Sequence, residues 1–249
     1  MNGDDCAVLL AGGVGSRLRP YTTVLPKPLM PVGGKPILEI VIQQLQHYGF
    51  RRVVLAVNHR DALIRAVIGD GSGYGLRVTY SKEPRPLGTI GPLHLLAERL
   101  PESFLVMNGD LLTDLDYRAF LEAHRTEETC LSVGVVRREQ PIDYGVIDVG
   151  GDGRAVAFRE KPTLDLWVSM GVYAMDRRIL EYVPRDRPFG FDDLMTTLLE
   201  QGVPIACRPH HGQWHDIGRP DDFEIAAEAF RQNKDLFLPA ETPAAAAAT

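Results

Sequence analysis

The sequence predicts an α/β protein built on a doubly wound, largely parallel sheet. Short apolar runs alternate with amphipathic stretches through the first half of the chain, the pattern of strands alternating with covering helices. A glycine-rich loop follows the first apolar run directly, and Asp110 follows the fourth. Open sheets of this kind bind ligands at the carboxyl ends of their strands.

The elements follow in order. AVLLA (7–11) predicts a buried strand. PILEIVIQQLQHYG (36–49) predicts a helix with Pro36 at its start and Gly49 at its end. RVVLAV (52–57) predicts a second strand, DALIRAVIG (61–69) a helix and LRVTYS (76–81) a third strand. IGPLHLLAERL (90–100) reads as a helix and SFLVMNGD (103–110) as the fourth strand. After residue 125 the pattern loosens. TCLSVGVV (129–136), YGVIDV (144–149), AVAFREK (155–161) and WVSMGVYAM (167–175) read as strands with few helices between them. GGDG (150–153) reads as a hairpin turn. This half should extend the sheet and add an antiparallel piece over its open end. Helices near 191–201 and 219–233 close the fold. One domain is expected over 1–238, with 239–249, PAETPAAAAAT, a low-complexity tail expected to be disordered.

Composition narrows the function. The 249 residues are 45% hydrophobic, enough for a full core. No apolar stretch is long enough to span a bilayer, and the acidic start MNGDDC has no basic region of a signal peptide. Cys6, Cys130 and Cys207 lie far apart, so reduced and mostly buried thiols in a cytoplasmic protein are expected. A net charge of −6 with no basic run argues against nucleic acid or an anionic membrane as partner. An anionic ligand must therefore be met by local cations and backbone N–H groups.

Residues 8–32, VLLAGGVGSRLRPYTTVLPKPLMPV, supply both. Gly12, Gly13 and Gly15 allow close backbone approach, and successive N–H groups form a concave anion site. The loop is not a P-loop, because G-x-x-x-x-G-K-[ST] is absent. It is not the dinucleotide fingerprint either, because Leu18 stands where the third glycine belongs. Arg17 and Lys27 add two cations, and Pro26 and Pro28 restrict the backbone around the lysine. An ordinary surface loop with solvated cations is the plainer reading of these residues taken alone.

The stretch LAGGVGSRLRPYTTVLPKPLMPVGGKP closely resembles the signature of the sugar-1-phosphate nucleotidylyltransferases. VMNGDLL (106–112), DYGVIDV (143–149), FREKP (158–162), SMGVYAM (169–175) and WHDIGRPDDF (214–223) resemble later blocks of that family, in order, so the resemblance covers about residues 6 to 235. It implies a Rossmann-like doubly wound mixed sheet of the nucleotide-diphospho-sugar transferase type. It also implies coupling of a nucleoside triphosphate to a sugar 1-phosphate with release of pyrophosphate. Both partners are anionic, so such catalysis is positioning and charge neutralisation, with carboxylate-held Mg²⁺.

By that resemblance Asp110 and Asp216 are the Mg²⁺ ligands, which suits an ion that takes one or two carboxylates plus phosphate oxygens and water. Arg17 would stabilise the leaving pyrophosphate with its planar fork. Lys27 would neutralise the α-phosphate, and Lys161 would hold the sugar phosphate. Leu10, Ala11, Gly12, Gly13, Gly15 and Ser16 would bind the nucleotide with Glu83, Gly88 and Thr89. Asn108, Gly145, Glu160, Ser169, Gly171 and Val172 would contact the sugar. Taken singly, Asp110 could be a cap, Asp216 a turn residue, and Glu160 and Lys161 strand-end charges.

The base is read from SKEPRPLGTIG (81–91). Glu83 falls where thymidylyltransferases of the family carry glutamine. An ionised carboxylate offers only acceptors, which suits the adjacent N1–H and N2–H of guanine and not a pyrimidine carbonyl. GTP is therefore favoured, as in short bacterial guanylyltransferases. If Glu83 points away and backbone near Gly88 reads the base, uridylyl and thymidylyl transfer stay open. Ser169 stands where the family often carries asparagine, so an unusual sugar, or a cyclitol of secondary metabolism, is compatible. Trp167 could shape the pocket, but a tryptophan in the sheet core is the simpler reading.

PHHGQWH (209–215) fits no strong zinc pattern, and DLLTDLD (110–116) lacks the glycine and closing glutamate of a calcium loop. A glycosyltransferase should show D-x-D after strand four, where this chain has NGDLL. The REKP and WHDIG blocks argue against a choline- or polyol-phosphate cytidylyltransferase. An inactive nucleotide-sugar-binding regulatory subunit should have lost Arg17, Lys27, Asp110 or Asp216, and all four are present. A homo-oligomer is left open.

Overall fold

Strand β1 (Cys6–Leu10) is the axis of the structure, and Cys6 to Leu9 are completely buried. Its side chains alternate between two cores, Ala7 and Leu9 in one and Cys6 and Val8 in the other, as period-2 geometry requires of a central strand. The computed structural model describes residues 5–13, 15–58, 61–185 and 187–238. The tail at 239–249 lies outside the described residues.

After the glycine loop and three short 3₁₀ turns, a two-residue ribbon, β2 (Pro31–Val32) and β3 (Lys35–Pro36), leads into α1 (Ile37–His47). Pro36 is the N-cap of α1, as its missing N–H permits. Ile37, Leu38, Ile40, Val41 and Leu45 are all buried, each stabilising the fold by about 1.5–3 kcal/mol. Then follow β4 (Arg52–Val57), α2 (Asp61–Ile68), β5 (Arg77–Lys82), β6 (Ser103–Asn108), β7 (Leu111–Thr113) and α3 (Tyr117–Arg125). The second half contributes β8 (Leu131–Pro141), β9 (Val146–Val149), β10 (Ala155–Arg159), β11 (Thr163–Asp176) and α4 (Phe191–Glu200). It ends with β12 (Ala206–His210), β13 (Trp214–Asp216), α5 (Pro220–Gln232) and α6 (Lys234–Phe237).

The main sheet runs β12-β8-β11-β6-β1-β4-β5. β1 pairs in parallel with both β4 and β6, and β11 enters antiparallel between β6 and β8. The chain thus winds outward from β1 in both directions, and β1/β6 is the switch point where such sheets open a crevice. Residues of α1, α2, α3 and α5 pack on one face. The 91–96 segment and α4 pack on the other.

One predicted helix differs. Residues 91–96 form 3₁₀ turns, because Pro92 brings no N–H and the N–H groups of Ile90 and Gly91 both donate to Phe189 O, at 3.0 and 3.1 Å. The second half matches the expected antiparallel addition. β9 and β10 form a separate two-stranded ribbon joined by the 150–153 turn, where Gly153 N–H donates to Gly150 O. Cys6 and Cys130 are buried and Cys207 is exposed. Trp167 is 55% exposed on β11 and is not a core residue, because this end of β11 pairs only with the outer half of β8, which is itself exposed.

Candidate active site

Four strands end at one cleft of about 640 Å³, within the size range of small-ligand sites. From β1 come Leu10, Gly12, Gly13, Gly15, Ser16 and Arg17. The end of β4 gives Ala56 and Asn58, and the segment after β5 gives Glu83, Pro84, Arg85, Pro86, Gly88 and Thr89. Asn108 and Asp110 follow β6, and Lys27, Asp216 and Gly218 complete the lining.

The glycine loop is shaped by side chains outside it. Gly15 has φ +65°, and a Cβ there would meet Thr22 Cγ2 at 2.9 Å, so both backbone and space exclude a larger residue. The Thr22 hydroxyl donates to Gly15 O at 2.6 Å. Asn58 Nδ2 donates to Gly12 O, and Ala11 N–H donates to Ala56 O at 2.9 Å. The loop is therefore fastened to β4 on one side and to the 3₁₀ turn at 21–23 on the other.

Lys27 sits between two carboxylates. Its ammonium contacts Asp110 Oδ2 and lies 4.0 Å from Asp216 Oδ1. β7 and β13 set this geometry. Asp216 pairs with Leu111, the neighbour of Asp110, and Ile217 N–H donates to Asp110 O at 3.3 Å. Burial, and then the charge of Asp110, raise the Asp216 carboxyl above its ordinary range, while Lys27 and Arg17 pull it back. Burial, ahead of repulsion by Asp110, is thus what the two cations leave uncompensated at Asp216. Hard oxygen donors in this state fit Mg²⁺, whose remaining positions go to phosphate oxygens and water. Among the described residues no group of three or more His, Cys, Asp and Glu side chains is placed to hold a metal, so the ligand itself would have to complete the shell. A Cβ on Gly218 would lie 3.4 Å from Asp216 Oδ2 and 3.7 Å from both an Arg17 guanidinium nitrogen and Asp222 Oδ2. Arg17 thus borders the same carboxylates from solvent.

Glu83 is half-buried. Its Oε2 accepts the N–H of Leu87 at 2.8 Å, and its Oε1 would lie 3.3 Å from a Cβ on Gly12. The carboxyl thus borders the cleft beside the glycine loop and does not point away. Burial raises its pKa, partly opposed by the Leu87 N–H.

The residues carried over for the sugar divide. Asn108 lines the cleft. Gly171, at φ +72° in an irregularity of β11, brings its backbone against Asn108, where a Cβ would be 2.6 Å from Nδ2. Ser169 Oγ accepts Gly171 N–H at 3.3 Å, and Val172 is buried opposite Met107. Ala11, Gly145, Glu160, Lys161, Ser169, Gly171 and Val172 do not line the cleft. Gly145, Glu160 and Lys161 are exposed at the root of the β9–β10 ribbon. Lys161 has φ +42°, a conformation that costs a non-glycine residue about 1–2 kcal/mol.

The sequence reading missed Asn58 and Arg85. Asn58 had a signal, since it directly follows the second strand, at the sheet edge where ligands bind. Arg85 lies within the segment read for the base, among prolines that drew attention to the backbone.

A family model described as nucleotidyl transferase matches residues 6–233, and the chain belongs to that family. It is 33% identical to a mannose-1-phosphate guanylyltransferase of Mycobacterium tuberculosis over 223 residues, 87% of this chain and 62% of that protein. It is 29% identical to a UTP–glucose-1-phosphate uridylyltransferase of Synechocystis over 94% of this chain and 66% of that protein. The chain thus spans somewhat less than two thirds of the length of these relatives. Among solved structures, HddC from Yersinia pseudotuberculosis, complexed with GMP-PN, superposes with a TM-score of 0.72 at 26% identity, covering 91% of this chain and 99% of that one. The mixed α/β fold is that of the nucleotide-diphospho-sugar transferases.

Proposed function

We propose that the protein transfers a nucleoside monophosphate, with guanosine favoured, from its triphosphate to a sugar 1-phosphate or sugar-like cyclitol 1-phosphate. The nucleoside diphosphate sugar and pyrophosphate are the products. The observation that carries this is Lys27 held between Asp110 and Asp216 beside a glycine loop that lines the same cleft. The loop's N–H groups bind triphosphate oxygens. Lys27 neutralises charge at the α-phosphate, and Arg17 takes up the charge of the leaving pyrophosphate. Asp110 and Asp216 would hold Mg²⁺, which would offset phosphate charge there. Lys161 steadies the acceptor phosphate, whose own oxygen is the nucleophile, so no side-chain nucleophile is needed.

Glu83 favours guanine, whose N1–H and N2–H both donate to a carboxylate. The names of the mycobacterial relative and of the GMP-PN complex agree with that choice. A second reading has one observation behind it. Burial raises the pKa of Glu83, and the carboxyl, once protonated, presents a donor and an acceptor as glutamine does, which suits uracil or thymine. Among the described residues no helix is long and apolar enough to cross a membrane, and the cytoplasm, where triphosphates and sugar phosphates are made, is the compartment that fits the reading.

The test is pyrophosphate release with Mg²⁺. Each nucleoside triphosphate is paired with mannose, glucosamine, heptose and carbocyclic 1-phosphates. GTP-dependent release with one partner is the expected result. Release with UTP or dTTP alone would discard the reading of Glu83. No release with any pair would remove the proposal in favour of a binding protein.

A further inference from the structure

Two sequence motifs that fit no metal pattern meet in the structure. Asp114 comes from DLLTDLD, and His210, Gly212 and Gln213 come from PHHGQWH. His210 ends β12, and its Nε2 donates to Asp114 Oδ1 at 2.8 Å. The same nitrogen lies 3.4 Å from a second acceptor, Gln213 O, so it is the ring nitrogen that carries a proton. Gln213 N–H donates to Asp114 Oδ1 at 2.8 Å, and Asp114 N–H donates in return to Gln213 O at 3.3 Å. The Asp114 and His210 side chains are only 16% and 12% exposed. A Cβ on Gly212 would lie 2.7 Å from Asp114 Cγ and nearer still to its oxygens. The carboxylate thus fills the space that a larger residue would take.

This clasp holds the strand of Asp216. β13 and β7 pair over three positions only, Trp214 with Thr113, His215 with Leu112 and Asp216 with Leu111, in a ribbon separate from the main sheet. So short a ribbon is marginal on its own, and a slip of one residue would turn Asp216 to the opposite face. The bond from Ile217 N–H to Asp110 O pins the end at the cleft. Asp114 and Gln213 pin the other end, and His210 ties that end to β12, which pairs with β8 in the main sheet. Asp114, His210, Gly212 and Gln213 do not line the cleft, so whatever they do for the site they do through the ribbon.

We propose that Asp114 and His210 are positioning residues, whose hydrogen bond holds the β7–β13 register and with it the placement of Asp216 beside Asp110. The proposal rests on the metal-holding role given to those two carboxylates above. Its effect falls on divalent-cation affinity, because the distance between two ligands on facing strands depends on the register of those strands. Groups behind a ligand shell move metal affinity by about 10- to 100-fold.

The experiment titrates Mn²⁺ alone into the full chain and reads the free ion by electron paramagnetic resonance, so neither the base nor the sugar need be known. Asp216→Asn marks the loss of a ligand. Gly212→Ala adds the methyl that displaces the Asp114 carboxylate, and His210→Leu removes the donor. Each should bind Mn²⁺ at least about 10-fold more weakly than the wild type. His210→Gln sets an amide N–H where Nε2 stood and should recover most of the affinity. Circular dichroism checks each fold. A folded Gly212→Ala or His210→Leu that binds Mn²⁺ as the wild type does overturns the proposal, since a role in stability alone moves the unfolding midpoint and leaves the affinity. A His210→Gln as weak as His210→Leu also overturns it, because packing of the ring and not its hydrogen bond would then matter. If Gly212→Ala and His210→Leu both unfold, Asp114→Asn, which keeps the shape and weakens the clasp, decides by the same measure. A wild type that binds no more Mn²⁺ than Asp216→Asn removes the metal role of the two carboxylates and this proposal with it. Unshifted variants beside a wild type that binds Mn²⁺ remove this proposal alone.

Discussion

Trp214 donates its indole N–H to the main-chain carbonyl of Met170 at 2.8 Å. Met170 is completely buried in the irregular stretch of β11 that also holds Ser169 and Gly171. Trp214 lies two residues before Asp216 on β13, so one hydrogen bond joins the strand of a metal-ligand candidate to the strand expected to meet the sugar. Trp214→Phe keeps a ring beneath the Arg138 guanidinium, now 5.4 Å from the Trp214 ring, but leaves the carbonyl unpaired. The expected loss is about 1–3 kcal/mol, read by urea unfolding. A loss below ~0.3 kcal/mol would mean that the carbonyl finds another donor.

Asp110→Asn removes one carboxylate from Lys27 and leaves Asp216 within 4.0 Å of it. The amide is isosteric, so the fold should survive. Pyrophosphate release should fall by at least about 10²-fold, the scale at which losing one electrostatic contact to a transition state acts. Near-normal turnover in a folded variant would remove Asp110 from the metal site.

Glu83 gives a pH test of base selection. Burial raises its pKa, so lowering the pH protonates it earlier than an exposed glutamate and turns an acceptor into a donor. The ratio of kcat/KM for GTP over UTP should fall as pH drops from 8 toward 5. In Glu83→Gln the ratio should be low and flat with pH. A wild-type ratio that does not move with pH would show that the base is read elsewhere.

The winding around β1 was legible because its causes are local. Apolar run length, Pro36 and Gly49 act on their own neighbourhoods, and α1 begins and ends within two residues of the expected bounds. The 91–96 turns were not legible, because the carbonyl that diverts their N–H groups belongs to Phe189, about a hundred residues away. That the glycine loop, Arg17 and Lys27 line one cleft was legible for a similar reason, since they sit in one segment. Trp214 was legible as a motif and not as a support, since its partner Met170 is 44 residues distant. The exposure of Trp167 could not be read from an apolar strand pattern, because that pattern does not say whether a sheet has another layer over it.

The last prediction concerns stability. His124 is buried at the end of α3, with Nδ1 2.8 Å from Ser132 Oγ. Its Nε2 lies 3.3 Å from Asp176 Oδ1 without hydrogen-bond geometry. Burial lowers the imidazole pKa, helped by Arg125 and Arg178 and opposed by Asp176. The folded state therefore holds His124 neutral, while the unfolded chain takes up a proton near pH 6.5. Where the unfolded state binds more protons, stability rises with pH, so this stabilisation is complete above about pH 6.5 and is lost as pH falls toward the depressed folded pKa. His215, also lowered by burial, adds the same sign. Urea unfolding between pH 7.5 and 5.5 should show stability declining with acid, and His124→Gln should flatten the decline without abolishing it. An equal slope in the variant would assign the acid sensitivity to other groups.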